Sequence, residues 1–183
     1  IKDNQKLILY SGMLQKWQRP DVLFAFLKKL QMQDIKQEFR FMIMTFDQKK
    51  ARHYASKYEI ENMIIDVGSG DYLNGVYNAA DIGISCRSSD WVSKVSSPVK
   101  IPEYLATRNS LILLESIGDF GIDLKSKEYA LVKKNNKGLL NTSLEEINRL
   151  KRPSTDDLND IYTRYCLQGN SHIFKNILEK QRS

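Results

Sequence analysis

The chain has 183 residues, of which 42% are hydrophobic and 27% charged, and it carries only 9 glycines and 4 prolines. That composition excludes fibrous, low-complexity and intrinsically disordered classes and suits one globular domain, which usually spans roughly 100–200 residues. The formal net charge of +6 leaves three kinds of anionic partner open: nucleic acid, an anionic membrane face or a phosphorylated ligand.

Residues 6–10 (KLILY) are a short apolar run that stops at Ser11 and Gly12, the pattern of a buried strand. Residues 20–30 carry apolar side chains at Val22, Leu23, Phe26, Leu27 and Leu30, a helical stripe, with Pro20 at the favoured first position. A second strand is expected over 39–46, a helix over 48–58, and a third strand over 63–67 closed by Gly68. A short helix follows over 72–80, a fourth strand over 82–85, a helix over 98–107, a fifth strand over 110–114 and a sixth over 129–132. Helical patterns over 144–150, 158–165 and 172–181 finish the chain.

This alternation calls for βαβ units: a doubly wound, Rossmann-like α/β fold with a parallel sheet between two helical layers and helices at the C-terminal end. The expected division is a Rossmann-like domain over 1–152 and helices over 153–183 that pack on it. The first residue is not methionine and leads almost directly into a strand, which reads as a cut at a domain boundary. No signal-peptide pattern opens the chain, and no apolar run approaches the ~20 residues of a membrane span.

The basic residues are spread out, as in Lys28-Lys29, Lys49-Lys50, Lys133-Lys134 and Lys151-Arg152, so solvated surfaces also account for them. The chain has neither an aromatic-rich RNP-type strand nor a clustered basic helix, so the charge alone does not indicate RNA or DNA. Cys86 and Cys166 are too far apart for a disulfide framework or a zinc motif and read as reduced thiols of a cytoplasmic protein. His53 and His172 read as surface residues. The expected location is the cytoplasm, including the inner face of the membrane as a peripheral site.

In open α/β sheets, ligands lie outside the carboxyl ends of the strands. That directs attention to the loops 11–19, 45–47, 67–72, 85–97 and 115–119. In the first, Gly12 lets the backbone approach a ligand, and Lys16 and Arg19 bring two cations. The alternative is a turn glycine beside exposed bases. Neither a dinucleotide fingerprint nor a Walker loop is present. In the fourth loop, Ser96, Ser97 and Pro98 precede a helix whose first N–H groups and dipole favour an anion, with Lys100 adding a full charge. Glu103, one turn in, has the chemistry to accept two ribose hydroxyls; the alternative is a capped helix with a surface glutamate. Pro102 implies that the regular helix begins there or kinks there.

The run Ser97-Pro98-Val99-Lys100-Ile101-Pro102-Glu103-Tyr104-Leu105-Ala106 resembles the SPxKxxEYLA signature of a branch of glycosyltransferase family four, whose members commonly build bacterial surface polysaccharides. Tyr10-Ser11-Gly12 with Lys16-Trp17-Gln18, Asn78-Ala79-Ala80-Asp81-Ile82-Gly83 and Ile117-Gly118-Asp119 agree with that branch in order and spacing. The resemblance implies the nucleotide-sugar-binding C-terminal half of a two-domain GT-B enzyme, retaining, with no metal or other cofactor. Its partners would be a nucleotide-diphospho-sugar, a glycan or lipid-linked acceptor, and an N-terminal domain outside this sequence.

Carried over, Glu103 would bind the ribose, Lys16 would contact the diphosphate and the Ser96, Ser97, Pro98 and Val99 turn would hold it; Gly12 and Arg19 suit the same diphosphate by their own chemistry. Val67, Gly68 and Tyr72 would border the base. Lys16, Lys100 and Arg87 are the candidate catalytic cations, with Asp90 and Lys94 as further polar groups near the donor sugar. The sequence departs from the family pattern where Val95 replaces the first glutamate of the E-x7-E motif and Met13 replaces the usual arginine. That departure sustains a second reading, a non-catalytic nucleotide-binding or interaction domain of the same fold. The resemblance also implies apolar exposure on the last helix, at Ile173, Phe174, Ile177 and Leu178.

Overall fold

The apolar runs pair side by side into a single parallel sheet. The computed structural model describes residues 5–91 and 98–165. Its strands are β1 (Lys6–Ser11), β2 (Phe39–Met44), β3 (Met63–Asp66), β4 (Ile82–Ser85), β5 (Ser110–Leu114) and β6 (Ala130–Lys133). They are ordered β3-β2-β1-β4-β5-β6, with every neighbouring pair parallel. Parallel neighbours need crossovers, supplied here by α1 (Pro20–Gln33), α2 (Gln48–Lys57), α3 (Gly70–Ala79) and α4 (Lys100–Ala106). The short helices α5 (Phe120–Asp123), α6 (Asn136–Leu140) and α7 (Leu144–Asn148) precede α8 (Thr155–Tyr165). The architecture is therefore the expected doubly wound α/β fold.

The core lies on both faces of β1, β2, β4 and β5, whose side chains are almost all buried. Helix α1 buries Val22, Leu23, Phe24, Phe26, Leu27 and Leu30 against it. Helix α8 packs on α4, burying Ile161 and setting the Tyr165 ring 4.3 Å from that of Phe120. No described helix is long and apolar enough to cross a membrane.

Three local departures from the sequence expectation have physical causes. Strand β2 ends at Met44, because Thr45 and Asp47 turn the chain: the Thr45 hydroxyl accepts from the Asp47 amide, and the Asp47 carboxylate accepts from the Leu14 amide. Helix α4 begins at Lys100 and runs through Pro102. Pro102 is its third residue, where the missing N–H is one that has no intrahelical partner in any case. The 3₁₀ turn Lys16–Gln18 and helices α5 and α6 are too short to display a helical period. The helix expected over 172–181, with Ile173, Phe174, Ile177 and Leu178, lies outside the described residues, as do Lys94, Val95, Ser96 and Ser97.

The sheet order reverses between β1 and β4. One glycine governs how closely the helical layer approaches that point. A Cβ on Gly83, in β4, would lie 2.4 Å from the Tyr104 ring of α4. Because the ring is fully buried, it has nowhere to move. Gly83→Ala is therefore expected to destabilise the domain by about 1–3 kcal/mol, the usual cost of overpacking. Urea unfolding measures it, and a midpoint equal to the parent's would contradict this packing.

Candidate functional site at the carboxyl ends of β1 and β4

Strand β1 matches β2 over its full length but meets β4 only at Ile8 and Leu9, opposite Ile82 and Gly83. Beyond that point the two strands part, and the next amide of β1 facing β4, that of Ser11, loses its ladder partner. The buried Tyr104 hydroxyl takes its place, accepting from the Ser11 amide at 2.8 Å and donating to the Leu9 carbonyl at 3.2 Å. This anchors α4 across the opening. Lys100 lies one helical turn before Tyr104, on the same face, so it is drawn inward with it.

Lys100 is only 7% exposed, and its Nζ has no hydrogen-bond partner among the described residues. The ammonium sits 4.1 Å from the centre of the Tyr10 ring, whose hydroxyl donates to the Met13 carbonyl at 2.7 Å. Above it lies Gly12, with φ of 134°; a Cβ there would stand 3.0 Å from Nζ. The backbone angle restricts this position to glycine. Burial, reinforced by the Arg87 charge, lowers the Lys100 pKa to about 7, against an opposing contribution from the Glu103 carboxylate. Burial likewise pushes the Cys86 thiol up to about 12, so at neutral pH it is no counter-charge.

Glu103 points the other way. It is exposed at the surface, and one carboxylate oxygen accepts from the Tyr77 hydroxyl at 2.7 Å. The Tyr77 ring is buried edge-on against Tyr104 at 5.2 Å. A fixed carboxylate thus stands on the same short helix as a buried cation.

The remaining expected residues divide between two cavities. Gly12, Val67 and Gly68 line a cavity of about 170 Å³ at the ends of β1, β2 and β3, together with Thr45 and Phe46. Tyr72 closes over Gly68, where a Cβ would meet its ring at 2.2 Å, and donates its hydroxyl to Asp66 at 2.5 Å. Lys16 and Arg19 instead line a wider cleft of about 610 Å³ with Trp17, Lys50, Tyr54, Ser88 and Asp90. There the Arg19 guanidinium is held by Asp21 at 2.9 Å. Arg87 is partly buried at the end of β4, Pro98 is buried, and Val99 is exposed. Sequence reasoning missed Tyr10, Tyr77 and Tyr104. The signal available was Gly83, since a glycine inside a strand marks a close approach.

No protein-family model matches the chain, and no curated protein matches it. Solved structures do share its fold. The UDP-forming α,α-trehalose-phosphate synthase of Burkholderia xenovorans superposes with a TM-score of 0.64 at 11% identity, over 98% of this chain and 44% of that one. TarM of S. aureus, in complex with UDP among other ligands, gives 0.71 at 12% identity, over 94% of this chain and 35% of that one. The C-terminal domain of LpcC, a group 1 glycosyltransferase of Francisella tularensis, gives 0.63 at 14% identity, over 87% of this chain and 86% of that one. The fold is thus the one found in GT-B glycosyltransferases, and with LpcC the match is to the C-terminal domain. The chain spans less than half the length of the synthase and of TarM.

Tyr104→Phe keeps the ring but removes the hydroxyl that serves Ser11 and Leu9. Leaving a buried amide unsatisfied costs about 1–3 kcal/mol. Equilibrium urea unfolding should show a loss of that size, and amide exchange at Ser11 should accelerate. An unchanged midpoint with unchanged exchange would mean that the β1–β4 opening is held by something else.

Proposed function

We propose that this chain is the donor-binding domain of a glycosyltransferase, holding a nucleotide-diphospho-sugar across the carboxyl ends of β1 and β4. The observation that carries the reading is the pairing on one short helix of a buried lysine, Lys100, whose Nζ has no hydrogen-bond partner among the described residues, and an outward carboxylate, Glu103, beside a glycine that bares the backbone. A diphosphate requires cations and open backbone. A ribose requires a carboxylate or another acceptor for its two hydroxyls. In this reading Lys100 and Gly12 take the diphosphate, Glu103 takes the ribose with Tyr77 fixing its angle, and the base enters the cavity bordered by Val67 and Gly68.

Sugar transfer leaves negative charge on the departing nucleoside diphosphate. Preorganised cations and amides aimed at that charge stabilise the transition state more than the ground state. Lys100 is already desolvated and fixed, so the charge it carries beside a bound diphosphate acts in a low-dielectric setting. Arg87, at the end of β4, is the cation proposed for the donor-sugar side; Lys16 and Arg19, in the neighbouring cleft, serve a phosphate that extends toward it.

Transfer with retention, a glycan or lipid-linked acceptor, surface-polysaccharide synthesis and a cytoplasmic setting are the finer parts of the proposal, supported by the decapeptide resemblance. A second, acceptor-side domain fits the apolar rim: Trp17, Phe46, Val67 and Val99 all stand exposed at the carboxyl edge of the sheet.

Two substitutions test the reading by calorimetry with uridine, guanosine and adenosine diphospho-sugars. Glu103→Ala should weaken binding by at least about tenfold to a hundredfold, since losing even one charge-assisted hydrogen bond costs roughly 1.5–3 kcal/mol. The penalty should nearly vanish for a 2′,3′-dideoxyribose analogue, and equal losses for both ligands would refute the ribose role. Tyr77→Phe should weaken the ribose ligand severalfold while sparing the dideoxy analogue. A parent chain that binds none of the panel would favour the non-catalytic reading.

A further inference from the structure

Lys100 is enclosed in a way that an always-charged lysine would not tolerate. An ammonium has three N–H donors, yet here Nζ meets the Tyr10 ring on one side and the Gly12 backbone on the other, with no acceptor among the described residues. The charged and titratable groups around it do not compensate. Arg87, at the end of β4, repels it, and Cys86 beside it is a neutral thiol. Glu103 on its own helix turns outward to Tyr77, Arg19 is paired with Asp21, and Asp47 accepts from the Leu14 amide. A desolvated charge without a counter-ion is costly, and the neutral amine is the usual escape.

We propose that Lys100 takes up its proton together with its anion: a phosphate seated against Gly12 draws a proton onto the amine, so that ligand binding at this site is coupled to proton uptake. The inference rests on the donor-site reading for the identity of that anion, and on the enclosure of Nζ for the coupling. The lone pair of the neutral amine accepts a proton from bulk water or buffer, and the ammonium so formed donates hydrogen bonds to the phosphate oxygens.

The direction of the pH dependence follows from linkage. In the free protein the amine loses its proton near pH 7, well below the ~10.4 of an unfolded lysine. Between those values the unfolded chain holds more protons, so Lys100 makes ligand-free stability rise with pH across that window and leaves it flat below. A bound anion raises the pKa. Affinity should therefore fall about tenfold per pH unit above about pH 7, until the raised pKa is reached.

The test is a pH titration of the lysine ε-carbon resonances in ¹³C-labelled protein, with Lys100 assigned by its absence in Lys100→Met. It is repeated with sulfate and with uridine, guanosine and adenosine diphospho-sugars, whose phosphates do not titrate in this range. The expected result is a free-state midpoint near neutrality that moves up by at least about one unit with sulfate or a nucleotide sugar, a shift of at least tenfold in proton affinity. Lys100→Met should also abolish the rise of ligand-free stability with pH. A Lys100 resonance that stays charged above about pH 9 in the free protein would overturn the proposal, as would a midpoint that neither anion moves. A midpoint moved by sulfate while no nucleotide sugar binds would uphold the coupling and remove the donor reading.

Discussion

The site depends on one hydroxyl that stands where a strand should be. Strands β1 and β4 begin as ladder partners and then separate, and separation exposes a β1 amide inside the protein. The Tyr104 hydroxyl satisfies that amide and the Leu9 carbonyl together, which lets the sheet split without leaving those two backbone groups unpaired. Its ring fits only because Gly83 has no side chain. The same contact fixes the rotation of α4, and so decides that Lys100 faces inward and Glu103 outward.

Two kinds of recognition follow from that rotation. Inward, an amine is stripped of water and given an aromatic face, with no counter-ion among the described residues, an arrangement in which an arriving anion favours its charged form. Outward, a carboxylate is held by Tyr77, which uses one of its oxygens and leaves acceptor capacity for hydroxyls. The cavity beside Gly68 and the wider cleft beside Trp17 lie on the same carboxyl edge of the sheet. Topology accounts for this grouping: parallel strands bring all their exit loops to one edge, and the reversal of strand order opens the crevice between them.

The sheet was legible in the sequence because buried parallel strands are short continuous apolar runs separated by helical periods. Runs such as KLILY and SLILL admit few other readings. The positions of Gly12, Lys100 and Glu103 at the carboxyl edge of the sheet followed from the same alternation. The tyrosines did not. Tyr10, Tyr77 and Tyr104 look like ordinary core aromatics, and only the three-dimensional packing reveals that their hydroxyls and ring faces organise the loop, the carboxylate and the ammonium. The division of Lys16 from Gly12 was also hidden. Between them Leu14 is buried and its amide is held by Asp47, and the 3₁₀ turn starts at Lys16; neither feature has a periodic signature.

In the proposed reading, a nucleotide-diphospho-sugar binds at this carboxyl edge, over the β1–β4 opening. Amide chemical-shift mapping during titration with uridine, guanosine and adenosine diphospho-sugars tests it most directly. Saturable shifts are expected at Ser11, Gly12, Met13, Gly68 and the first turn of α4 with at least one member of the panel, and none at the opposite edge around Lys6, Glu38 and Asn62. Saturable shifts confined to that opposite edge, or no shifts with any member of the panel, would contradict it.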